Sequence, residues 1–171
     1  MSLCEIFFEH WKSIPRTGLV PSLGDYLDRP HPTTQPWTVI FDVEGEHLPM
    51  RLVGTLLTGA VGVELKGINA HDIYPEHQRA DFVRRHRLIT SHPCGMWSYG
   101  SAKTLKGHGI EMKGIALPLM REANQLSVVR VIELLNPLVP GDQFTQVKTD
   151  PKPITWVDIG AGVPAPSPAA T

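Results

Sequence analysis

The sequence predicts an α+β fold built on a sheet of about five strands, and three observations carry that expectation. Two runs rich in Val, Ile, Leu and Phe, between Trp37 and Leu57, flank Glu44-Gly45-Glu46, where the glycine can supply the positive φ of a hairpin turn. One long helical stretch, Glu76 to Ser91, is set off by Pro75 just before it and stopped by Pro93 soon after. Three further strand-like runs follow: Cys94 to Thr104, Gly109 to Leu119 and Leu126 to Leu135. The order is β, β, helices, β, β, β.

From the N-terminus, Ser2 to Ile14 form an amphipathic helix, because Leu3, Phe7, Trp11 and Ile14 recur at helical spacing and Ile6 and Phe8 widen the stripe. Such a face must cover either its own domain or the same helix of a second subunit, which makes Leu3, Phe7 and Trp11 candidates for a homodimer interface. Pro15, Pro21, Pro30, Pro32 and Pro36 break the next stretch into turns around a short helix at Ser22 to Leu27. In the first strand Val39, Phe41 and Val43 alternate with Thr38, Ile40 and Asp42, so at least one face is buried. Between Thr58 and Pro75 the alternation fails, and Gly59, Gly62 and Gly67 mark short turns or helices. After Pro140 the chain turns polar and ends in VPAPSPAAT, a composition that does not pack. The expected division is a helix over 1–14, a domain over 15–140 and a disordered tail over 141–171.

With 171 residues, 42% of them hydrophobic, the chain supports one core. A net charge of -1 gives no global field for a polyanion, so nucleic acid is not expected as a partner. No stretch reaches the roughly 18 to 20 apolar residues a membrane span needs, and the N-terminus lacks a basic start followed by an apolar run. Cys4 and Cys94 make no disulfide framework and no Cys-x-x-Cys pattern. A soluble, cytoplasmic protein is expected.

Several stretches resemble one family. IPRTGLVPSLGDYL near the start, MRLVGT in the second strand, GVELKGINAHDI before the long helix, SHP at its end, and IALPLMREANQLSVVRVIELL across the last hairpin are similar to a PAS subfamily common in alphaproteobacteria. They span Ile14 to Leu135. The resemblance implies a five-stranded antiparallel sheet with helices on one face, and a stand-alone sensory module. Its cleft would take a small molecule, and the terminal helix would pass the change on through dimerisation or to a signalling partner protein.

Candidate pocket residues follow from that frame. At about 100° per residue, Phe82, Val83, His86 and Ile89 share one face of the long helix. The axial histidine of haem-binding PAS domains lies on the helix this segment resembles, so the resemblance implies haem as an option for His86. The commoner role for a lone histidine on an apolar face is a satisfied pocket or core residue. Trp97 and Tyr99 in the third strand and Met112 in the fourth belong to alternating sets, one of which faces the pocket in a PAS register. Core packing explains them equally. Arg51 sits among apolar strand residues; pointing inward it needs a ligand carboxylate or Glu64 or Asp72, and pointing outward it needs nothing.

The arginines Arg79, Arg84, Arg85 and Arg87 read as a solvated helix face. His71, Asp72, Glu76, His77, His86, His92 and Cys94 crowd one region but match no zinc spacing, so no metal site is expected. GMWSYG has its glycines at the wrong offsets for a nucleophile elbow, and GHG and GAG lack the rest of a phosphate-binding loop. Cys94 with His92 makes a poor thiol pair, because strand neighbours point apart. No enzyme is expected. Two rivals stand beside the sensor: a small cone-shaped α+β enzyme using His71 and Asp72, and a structural adaptor with a filled core and no ligand.

Overall fold

In the computed structural model, which describes residues 1–150 and 152–166, seven strands form one sheet. They are β1 (Thr38–Asp42), β2 (Met50–Val53), β3 (Gly95–Thr104), β4 (Gly109–Met120), β5 (Leu126–Leu134), β6 (Phe144–Thr149) and β7 (Thr155–Val157). Their order is β2-β1-β5-β4-β3-β6, with β7 also on β3, and every pairing is antiparallel. The first five are the strands expected from the sequence. The count of five is corrected to seven, because the ten-residue β3 would otherwise leave a long open edge. Instead β6 pairs along Gly100–Thr104 and β7 along Gly95–Trp97. Both added strands come from the stretch after Pro140 expected to be a tail. The remainder, 158–166, has no helix or strand, and 167–171 of the VPAPSPAAT ending lie outside the described residues.

Helices pack on both faces of the sheet, which corrects the expectation of one. Along β4 and β5 the apolar side chains alternate between two layers: Ile115, Leu117, Leu119, Val129 and Val131 enter one core, and Ala116 and Val128 the other. A sheet apolar on both faces must be covered twice. On the outer face lies α1 (Leu3–Ser13), started by a capping box in which Ser2 and Glu5 exchange hydrogen bonds of 3.3 and 2.7 Å. Its Cys4, Phe7 and Trp11, with Ile14 beyond its end, are buried against that layer, and the Trp11 indole donates to the Pro118 carbonyl at 3.1 Å. Beside it sits α2 (Leu23–Leu27), capped by Ser22.

The inner face is roofed by α3 (Thr55–Val61), a short 3-10 turn at Ala70–Ile73 and α4 (Glu76–Ser91). The last has the bounds read from its flanking prolines. It buries Phe82, Val83, His86 and Ile89, the face predicted from helical spacing. Gly62 ends α3 with φ of 79°, a left-handed cap that glycine adopts without strain.

Candidate functional site

Between the inner face and its roof lies an apolar cavity with about 70 Å³ of free space. Its floor is formed by Val39 and Phe41 of β1, Met112 of β4 and Arg130 and Ile132 of β5. The roof comes from Leu57 and Val61 of α3, Ile73 and Tyr74 just before α4, and Phe82 of α4. Phe144 and Val147 of β6 add a further wall, so a strand missed in the sequence completes this site.

Among the described residues Arg130 is the one charged residue in that lining. It sits on β5 between Val129 and Val131, which point to the outer core, so strand alternation turns it inward. It is 7% exposed. One terminal nitrogen donates to the Tyr74 hydroxyl at 3.2 Å, the other to Ser98 Oγ at 3.1 Å, and its Nε has no partner among the described residues. The guanidinium carbon stands 5.9 Å from the centre of the Phe82 ring. Gly114 on neighbouring β4 makes the room: a Cβ there would come within 3.0 Å of Arg130 Nε and 3.3 Å of one terminal nitrogen. Among the described residues no carboxylate pairs with it. Asp42 takes Arg51 and Arg121, and Glu133 takes Lys113.

Of the residues proposed from the sequence, Phe82 and Met112 line the cavity. His86 lies behind them, 1% exposed, its ring centre 4.1 Å from that of Phe82 and 5.2 Å from that of Phe41. Its Nδ1 donates to the Phe82 carbonyl at 2.7 Å, since a carbonyl only accepts. Burial pushes its pKa down to about 3, with the Arg130 charge acting the same way, so the ring is neutral. Of the two roles expected for His86, pocket or core, it takes the core one, and a cavity of this size does not fit a haem macrocycle.

Three other candidates are corrected. Trp97 faces the outer layer and packs with the α1 cluster, because it sits one residue out of phase with inward-facing Met96 and Ser98. Tyr99 follows it outward, 37% exposed, with the Lys152 ammonium 5.1 Å from its ring centre. Arg51 points away from the cavity and binds Asp42 through two hydrogen bonds of 3.2 and 2.8 Å. Burial alone would raise the Asp42 carboxyl; hydrogen bonds from Arg51 and Ser127 and the Arg121 charge hold it below the usual range. The proposed interface residues Phe7 and Trp11 are consumed within the chain, and Leu3 is partly buried against the same cluster.

The rival pair, His71 and Asp72, forms a 3.1 Å contact outside the cavity lining. The helix arginines are taken up locally: Arg84 and Arg85 pair with Asp81 and Arg87 with Glu46. Among the described residues there is no group of three or more potential metal ligands, and no helix is long and apolar enough to cross a membrane.

Sequence reasoning missed Arg130, although a signal existed. In SVVRVI a single charge interrupts a strand apolar in both phases, so whichever way it points it is buried. Arg51 differs in lying on the edge strand β2, where a charge reaches solvent. Tyr74, Ser98 and Gly114, which position the guanidinium, left no comparable mark.

A two-faced antiparallel sheet that keeps one layer for a terminal helix and the other for a helix-roofed cavity defines a small two-layered α+β domain with an internal cavity. The chain belongs to the PAS domain family, whose family model, described as a PAS domain, matches residues 5–133. That family consists of sensory and signalling modules. A search of the curated proteins found no match.

Proposed function

We propose that this PAS domain is a cytoplasmic sensory module that binds a small organic molecule in the inner cavity without transforming it. The observation that carries the reading is the cavity itself: among the described residues, apolar walls surround a single buried, incompletely partnered polar group, the pattern of small-molecule sites. Acid-base chemistry has no support there, because the lining holds no carboxylate, histidine or cysteine among the described residues. Occupancy reaches the outside through β5, which carries Arg130 inward and Val129 and Val131 outward against α1. The output then passes to a second copy or a separate partner protein.

Native and denaturing mass spectra of the purified chain, recorded side by side, test this. A small mass lost on denaturation is expected. A bare chain that also fails to respond to a metabolite panel in thermal-shift measurements overturns the reading in favour of a ligand-free adaptor.

A further inference from the structure

We propose that the cavity takes a short, largely apolar monocarboxylic acid, with its carboxylate on Arg130. This rests on the small-molecule reading above and adds the chemical class.

The argument starts from the cost of a buried charge. An ion taken out of water is stable only with a counter-charge or a full set of hydrogen bonds, and arginine does not escape by shedding its proton as lysine does. Arg130 has neither. Its protein partners, Tyr74 and Ser98, are neutral hydroxyls, and Nε has none. These contacts, with Gly114 clearing the space, hold the guanidinium in one orientation while leaving donors free. A preorganised planar fork with spare donors matches a carboxylate.

The walls then narrow the class. Val39, Leu57, Val61, Met112 and Ile132 offer only hydrocarbon and thioether surface, so the rest of the ligand is apolar. Among the described residues no second cation lines the cavity to receive another acid group, and no carboxylate to receive an ammonium, so dicarboxylates and amino acids leave a buried charge unpaired. The confined space between the strands and the roof favours a short acid.

The test is isothermal titration and thermal shift of the full chain at pH 7, stripped of ligand by unfolding and refolding. Butyrate and isovalerate are the probes, with butyramide, isovaleramide and succinate beside them. The two acids are expected to bind and to raise the melting temperature, and the amides and succinate are not. Arg130→Gln should weaken acid binding by roughly 30-fold or more. Should that variant fail to fold, Arg130→Lys keeps the charge without the fork, and is expected to bind the acids more weakly while preferring them to the amides. Equal binding of acids and amides overturns the carboxylate assignment and leaves the small-molecule reading standing. The same holds for a neutral compound released from the purified chain on denaturation. No binding by any probe, with no ligand carried, overturns both.

Discussion

Replacing Arg130 with methionine separates a residue kept for a ligand from one kept for the fold. Burying a guanidinium costs roughly 4 to 5 kcal/mol after relaxation of its surroundings. The hydrogen bonds to Tyr74 and Ser98 return about 1.5 kcal/mol each. The Phe82 ring beneath the group adds about 0.5 kcal/mol. The ligand-free protein therefore carries a deficit of about 1 kcal/mol at this position, within the range seen when buried charges give way to apolar side chains. Arg130→Met, similar in length and flexible enough to fill the space, should leave stability unchanged or raise it by about 1 kcal/mol, or about 2–4 °C in a chain of this size. Urea unfolding of ligand-stripped wild type and variant at pH 7 measures it. A loss greater than about 2 kcal/mol would mean that Arg130 is already satisfied by the protein and holds the fold together, which removes the reason for assigning it a ligand.

Two further outcomes are expected. His86, held to a pKa of about 3 when folded against an ordinary 6.5, takes up its proton mainly on unfolding. Stability from this group is full above pH 6.5 and is lost as pH falls toward 3, so wild type should lose about 2 kcal/mol more than His86→Gln between pH 7.5 and 5. Equal losses in the two proteins would refute the buried, neutral assignment. Phe7→Ala should cost about 3–5 kcal/mol in urea unfolding while leaving the solution mass unchanged, because the ring is buried under its own sheet. A change of mass by light scattering with little loss of stability would return Phe7 to a subunit interface.

The parts of the fold legible in the sequence were those with strong local signals. The long helix announced both ends through Pro75 and Pro93, and its buried face through Phe82, Val83, His86 and Ile89. What stayed hidden were choices made by tertiary contact. In β6, Thr145, Val147 and Thr149 alternate with Gln146 and Lys148, but Asp142, Asp150 and Lys152 around them make the segment look solvent-bound. Only the unfilled edge of β3 recruits it. Phase was the other limit. Met96 or Trp97 could each have faced the roof, since both are large and apolar, and the sheet has a core on either side to receive them. Arg130 was legible in principle, because a charge has no comfortable phase in such a strand.

That two-sidedness also bears on how a signal could leave the cavity. Period-two geometry makes β5 a shared wall: Arg130 is pinned from the inner side by Tyr74 and Ser98, while Val129 and Val131 are packed against α1 on the outer side. The coupling to α1 is more than apolar. Glu133, farther along β5, accepts the Cys4 backbone N–H at 3.0 Å at the start of α1 and stands 3.5 Å from the Lys113 ammonium. A close-packed strand does not deform continuously; a shift at Arg130 displaces its two neighbours together. Were an anion to bind at Arg130, the tightening of the guanidinium onto it would be delivered to the helix by a rigid element with both ends of the coupling on one strand, three residues apart from Arg130 to Glu133. Glu133→Gln isolates that link. It keeps an oxygen for the Cys4 N–H but removes the charge facing Lys113, so ligand affinity should hold while ligand-dependent protection of the α1 amides from hydrogen exchange weakens. Protection that stays at the wild-type level would place the route outside this strand.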